Sequence, residues 1–242
     1  MKGTYLGQVR YSAPISEGII LLKISLLEPK VVDFKAGQYL AVLLPESGKQ
    51  AYYSIASSPN KKNEVELLVK EDKLGAGSSY LFSLSVGDSI ELMMPMGEAF
   101  IRDKSQRDAV FVGGASGASY ARSMIHYLDE SGQLEHRRVH YFLGVREAAE
   151  LMELEYMYQL TEKHATFHFY PVVSDPKCWN GYTGPITGVV DTVLPNDLSE
   201  WEAYAAGSPE MVKALATLLI SKKGLTAERF FSDLYTPEDS ES

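Results

Sequence analysis

The sequence predicts two domains in series, an all-β unit followed by an α/β unit with a parallel sheet. Three observations carry that expectation. Six short segments rich in β-branched and aromatic residues crowd the first part of the chain, separated by Gly, Pro, Asn, Asp and Lys clusters. A charged stretch, residues 102–108, then interrupts the pattern. Beyond it, short apolar runs alternate with segments whose apolar residues recur at helical spacing.

Taken in order, strands are predicted over residues 5–11, 18–26, 38–44, 51–56, 64–69 and 89–94, with one helical turn at 78–84. Short strands at close spacing imply a closed barrel or a sandwich. In the second half, strands are predicted at 109–112, 139–143, 166–173 and 202–206, and helices at 119–128, 148–161, 188–194 and 209–221. Strict alternation of strand and helix implies a parallel sheet with helices on both faces. The expected domains are 1–102 and 103–236, with an acidic, polar and disordered tail at 237–242.

Composition bounds the function. The 242 residues are 45% hydrophobic and 23% charged, as in a folded globular protein. A formal charge of -9 argues against nucleic acid or an anionic membrane as the main partner. The single cysteine, Cys178, excludes an internal disulfide, a cysteine-ligated iron–sulfur cluster and a Cys-rich zinc site. His136 and His140 stand four apart, but Arg137, Arg138 and the alternation around Val139 read as strand entry, so no metal site is expected. The start lacks the apolar core of a signal peptide, and no apolar run approaches the roughly 20 residues of a membrane span. A cytoplasmic location is expected.

Three segments carry candidate chemistry. Residues 113–119 (Gly-Gly-Ala-Ser-Gly-Ala-Ser) follow a strand and open a helix, where small residues let the backbone approach a pyrophosphate. An ordinary tight turn with a Ser cap reads equally well. In residues 51–59, Tyr53 shares a strand face with Ala51 and Ile55 while Ser54 faces the other way. A ring beside a hydroxyl suits a flat polar heteroaromatic ligand, but on composition alone a half-buried strand with a Tyr ladder is the better reading. Residues 75–81, with Gly75, Gly77 and Ser78, form a Gly-containing loop entering a short helix, an anion site or a plain N-cap.

In this order the segments resemble the ferredoxin–NADP reductase superfamily, and more narrowly its stand-alone bacterial NAD(P)H:flavin reductases. The resemblance runs from about residue 5 to 235. It rests on Ala36-Gly37-Gln38-Tyr39, on Tyr53-Ser54-Ile55-Ala56-Ser57-Ser58-Pro59, on Gly75 with Ser78, and on Gly87-Asp88 followed by Pro95-Met96-Gly97-Glu98-Ala99-Phe100. In the second half it rests on residues 114–122, Tyr141 to Arg146, Trp179 to Gly184, Gly207-Ser208-Pro209-Glu210-Met211 and Phe231-Ser232-Asp233-Leu234-Tyr235.

The resemblance implies a six-stranded antiparallel β-barrel for flavin (FAD or FMN) and a Rossmann-like parallel sheet for NADH or NADPH. It implies that Tyr53 packs on the flavin ring and that the Ser54 hydroxyl serves catalysis beside flavin N5, with Ile55, Gly75 and Ser78 completing the flavin set. Gly114, Ala115, Ser116 and Gly117 would hold the pyrophosphate, and Gly207, Ser208 and Pro209 would shape the nicotinamide pocket. Tyr235 would cover the flavin or hold the nicotinamide's place, and Arg146 and Arg122 are candidates for the adenosine end. Hydride transfer between stacked rings needs no strong acid or base.

Three positions depart from the family pattern: Ala51 stands where Arg contacts the flavin phosphate, Ala206 where Cys is frequent, and Ala115 where Gly is commoner. Losing a charge-assisted phosphate contact costs about 1.5–3 kcal/mol, so weak flavin binding is expected unless Lys49 or Lys73 compensates. The leading expectation is an NAD(P)H:flavin oxidoreductase. The alternatives are an FAD-bound electron-transfer subunit docking a protein acceptor, such as an oxygenase or hydrogenase, and a non-catalytic nucleotide-binding relative.

Overall fold

A computed structural model of the chain describes residues 2–177 and 179–235. Cys178 and the expected tail at 237–242 lie outside the described residues. The first unit comprises β1 (Gly3–Ser16), β2 (Ile19–Glu28), β3 (Tyr39–Leu43), β4 (Gln50–Ser54), β5 (Glu64–Lys70), α1 (Ala76–Ser83) and β6 (Ser89–Met96). The strands form one antiparallel sheet in the order β4-β3-β6-β1-β2-β5. The sheet curls until its ends meet, where the Ala56 N–H donates to the Glu66 carbonyl at 2.8 Å. That resolves the barrel-or-sandwich alternative as a barrel.

Strand alternation explains why β5 reads as a nearly continuous apolar run. Val65, Leu67 and Val69 enter the barrel core with Val9, Leu22, Ile24 and Leu40. Leu68 points the other way and joins a core shared with the second unit.

The second unit comprises β7 (Ala109–Gly114), α2 (Ala118–Glu130), β8 (Val139–Val145), α3 (Leu154–Lys163), β9 (Phe167–Val173), β10 (Tyr182–Thr183), α4 (Ile186–Val193), β11 (Glu202–Ala206), α5 (Pro209–Ala216) and β12 (Phe230–Phe231). All six strands are parallel, in the order β10-β9-β8-β7-β11-β12. Each sheet face buries its own core. Phe111, Tyr141 and Leu143 face α2 with Met124 and Leu128, whereas Val110, Val112 and Phe142 meet Val190 and Leu215 on the opposite face.

Two expectations about local structure change. The helix expected over 148–161 begins at Leu154, and a single 3-10 turn, Ala148–Glu150, precedes it. The Glu150 carboxylate accepts the backbone N–H groups of Arg146 (2.9 Å) and Glu147 (3.3 Å), closing a capping box at the start of that turn, and the chain is extended again at Leu151. The short edge strands β10 and β12 were not expected, because two residues carry no periodic signal.

The units share one apolar seam, in which Ile19, Leu21, Ala36, Leu68, Ala99 and Ile101 of the barrel pack with Tyr120, Met124 and Ile125 of α2. Among the described residues no helix is long and apolar enough to cross a membrane.

Candidate active site

The carboxyl ends of β7, β8 and β11 open toward the barrel, which is where ligands enter sheets of this kind. Three adjoining clefts lie there. The first, about 390 Å³, is walled by Tyr39, Tyr53 and Ser54 from the barrel and by Gly117, Ala206 and Gly207 from the α/β unit. The second, about 450 Å³, runs over Gly114, Ala115, Gly144, Arg146 and Ser208. The third, about 560 Å³, leads from Tyr53 and Ser54 along Ala51, Asp72, Gly75 and Ser78. Ser116 borders all three, so the site has a centre.

The turn that carries Ser116 exists because of Gly117. A Cβ there would stand 2.0 Å from the Ala206 carbonyl oxygen, so only glycine lets Ala115–Gly117 pack against the end of β11. The neighbouring helix α5 begins with Ser208 as its N-cap, whose Oγ accepts the Met211 N–H at 3.2 Å, and with Pro209 in its first turn. Ser208 borders the second cleft while capping α5. Pro209 shapes the helix start and is not part of the cleft walls.

On the barrel side, β4 pairs with β3 so that Tyr53 lies opposite Leu40 and Ser54 opposite Tyr39. Tyr53 and Ser54 are both half-buried. Burial, with the Asp72 carboxylate nearby, raises the Tyr53 phenol above its ordinary pKa and keeps it neutral. Ser78 is buried, and its hydroxyl accepts the Asp72 N–H (2.9 Å) and donates to the Lys70 carbonyl (3.0 Å). That hydroxyl therefore fastens the loop between β5 and α1, and its proton is already committed.

Three expected positions fall elsewhere. Ile55 is fully buried in the barrel core, with its N–H donating to the Gln38 carbonyl at 3.0 Å, so its side chain does not reach the cleft. Tyr235 is not among the residues bordering the three clefts. Its ring meets Phe230 edge-on at 5.0 Å, because the apolar core under α5 offers it a packing surface. Arg122 is buried between Glu66 and Glu153 and is no adenosine contact, since its guanidinium is consumed by two carboxylates and the Ala56 carbonyl. Arg146 borders the second cleft and is exposed.

The structure also adds residues. Lys70, at the end of β5, borders both the second and third clefts and is paired with Glu150 at 2.5 Å. Asp233 borders the first cleft and accepts the N–H groups of Glu98 (3.3 Å) and Ala99 (3.4 Å), while burial holds its carboxyl above the usual range. Asp233 lay within a motif already singled out, but nothing local distinguished it from Tyr235. Lys70 had no local signal. Lys49 and Lys73, the expected substitutes for the charge absent at Ala51, are not among the residues bordering the third cleft. Among the described residues, no cluster of three or more His, Cys, Asp or Glu could hold a metal.

A β-barrel joined to a parallel dinucleotide-type sheet, with an aromatic and hydroxyl-lined cleft at their seam, defines a two-domain oxidoreductase. The chain belongs to the ferredoxin reductase-like family of such proteins: residues 7–101 match the oxidoreductase FAD-binding domain and residues 111–217 the oxidoreductase NAD-binding domain. It is 31% identical to an NAD(P)H-flavin reductase of Vibrio harveyi, over 87% of this chain and 90% of that protein. It is 33% identical to the phenol 2-monooxygenase reductase component DmpP of Pseudomonas sp. (strain CF600), over 97% of this chain and 67% of that one. It is 34% identical to the phenol hydroxylase P5 protein of Acinetobacter pittii (strain PHEA-2), of which it spans 59%. The crystal structure of the Amycolatopsis cytochrome P450 reductase GcoB superposes with a TM-score of 0.87 at 25% identity, over 95% of this chain and 69% of that one.

Proposed function

We propose that this protein oxidises NADH or NADPH and reduces a flavin that binds on the barrel and leaves as product. The observation that carries the reading is the first cleft, which brings Tyr53 and Ser54 of β4 opposite Gly117, Ala206 and Gly207 of the dinucleotide unit. Tyr39, Tyr52, Tyr53 and Tyr120 make its walls aromatic, and Ser54, Ser116 and Ser232 add hydroxyls, a lining that fits stacked heteroaromatic rings.

When both rings are bound, nicotinamide C4 supplies a hydride to flavin N5, and one proton from water completes the reduced flavin. The residues of this chain position that exchange. Tyr53 offers a flat neutral face, and the Ser54 hydroxyl is available to donate a hydrogen bond within the same cleft. Ala206 adds no more than a methyl to the opposite wall, and Gly207 packs closely on Met211, whose methyl carbon would lie 2.3 Å from a Cβ there. Ser116 and the small residues beside it let a pyrophosphate approach the backbone near the start of α2. Proximity and orientation supply the rate.

The domain division is proposed between residues 102 and 103, supported by the two family matches on either side. A cytoplasmic location accords with the use of NAD(P)H as the reductant. A second reading, electron delivery to a protein acceptor, is supported by the similarity to reductase components of oxygenases, which this chain spans only in part.

NAD(P)H oxidation measured with and without riboflavin, FMN or FAD tests the proposal. Turnover that requires free flavin supports it. Turnover that requires only a partner protein and tightly held flavin supports the second reading instead.

A further inference from the structure

The third cleft runs from Tyr53 and Ser54 to the amino end of α1, and it shares Tyr52, Tyr53, Ser54 and Ser116 with the first, which makes it a path for the tail of a flavin seated on Tyr53. Three charged residues border it: Lys70, Glu71 and Asp72. Lys70 is already paired with Glu150 at 2.5 Å. Ala51 brings no charge to the wall.

Asp72 occupies the decisive place. One carboxylate oxygen accepts the Leu74 N–H at 3.0 Å. The other lies 2.7 Å from where a Cβ of Gly75, the residue capping α1, would stand. A fixed carboxylate thus already sits at the positive end of this helix, the position an anionic tail would otherwise find most favourable. The Ser78 hydroxyl cannot donate to an anion there without releasing the Lys70 carbonyl.

We propose that Asp72 is a specificity-determining residue that turns this site against phosphate, so that the preferred flavin carries an uncharged ribityl tail. Riboflavin is then the better substrate, and FMN and FAD the poorer ones. The inference rests on the flavin reductase reading and names the substrate class of that site.

The test compares FMN with riboflavin on the full chain, by KM in NAD(P)H oxidation and by Kd from quenching of flavin fluorescence. The expected ratio of FMN to riboflavin, for either constant, is about 10 at low salt. It falls about 3- to 5-fold in Asp72→Asn, whose amide oxygen still accepts the Leu74 N–H. In the unaltered protein the ratio also falls as salt rises, because screening weakens repulsion, and that needs no variant. A ratio at or below one, or one that neither salt nor Asp72→Asn changes, overturns the inference. Absence of turnover with every flavin contradicts the reductase reading, while the fluorescence ratio still decides the role of Asp72.

Discussion

Arg122 of α2 and Glu66 of β5 are paired at 2.7 Å across the seam between barrel and α/β unit, with both side chains buried. The same guanidinium reaches Glu153 at 2.8 Å and the Ala56 carbonyl at 2.7 Å. These contacts hold the two walls of the first cleft in one orientation, so a residue without ligand contact sets the geometry of the site.

Removing Arg122 strands two carboxylates. Lys61 (3.0 Å) and Lys23 (3.3 Å) remain on Glu66, which softens the loss without replacing it. Arg122→Ala is expected to cost about 3 kcal/mol in denaturant unfolding, the scale of a broken buried pair. A change under about 0.5 kcal/mol would mean the clamp is ornamental.

Acid should act through the same cluster. Burial raises the Glu66 pKa, but the Arg122 charge and hydrogen bonds from Lys61 and Arg122 outweigh it and hold the carboxyl at about 2, against an ordinary 4.5. A depressed folded-state pKa stabilises the fold above the unfolded value and loses that contribution as pH falls from about 4.5 toward 2. The contribution is on the order of 3 kcal/mol. Thermal unfolding followed across this window should show the loss, and Glu66→Gln should flatten it.

Much of this architecture was legible because its signals are local. β-Branched and aromatic segments between turn-forming clusters marked the barrel strands, and the Gly-rich turn before Ser119 marked the start of α2. Tyr53, Ser54 and Ser116, which meet in one cleft, stand out in the sequence through the joint order of the motifs and not through any one local signal. Arg122 was not legible, since its partners lie 56 and 31 residues away and sequence spacing says nothing of such meetings. Lys70 had no such signal either, as its partner Glu150 lies 80 residues away. Tyr235 packs edge-on against Phe230, a contact five residues apart that the motif alone does not reveal. Ile55 shares its strand face with Tyr53, but it enters the barrel core while Tyr53 stays half-buried at the edge of that core, where it borders the cleft.

Ser54→Ala should lower kcat for flavin reduction by about 10- to 100-fold with a smaller change in KM, as for a hydrogen bond strengthened in the transition state. Ser54→Thr keeps a hydroxyl and should recover part of the loss. Equal kcat in all three proteins would remove Ser54 from the mechanism.

Gly117→Ala places a methyl 2.0 Å from the Ala206 carbonyl oxygen, so the turn must move. The expected outcome is a KM for the dinucleotide raised about 10-fold or more, with a lowered melting temperature. Flavin affinity by fluorescence should change less, which separates the turn's role from general unfolding.

Lys70→Gln removes one of the two cations bordering the second cleft, Arg146 being the other, and frees Glu150. The KM for NADH or NADPH should rise about 5- to 10-fold and become less sensitive to salt. An unchanged KM with unchanged salt dependence would show that Lys70 serves only the fold.

The central claim is that reduced dinucleotide and flavin meet in one cleft of this protein. Anaerobic mixing of the protein with NADH or NADPH and riboflavin, monitoring both absorbances, tests it most directly. The account predicts bleaching of flavin and loss of reduced dinucleotide in equal amounts, much slowed in Ser54→Ala. Folded protein that oxidises dinucleotide without bleaching flavin, or does neither, would contradict it.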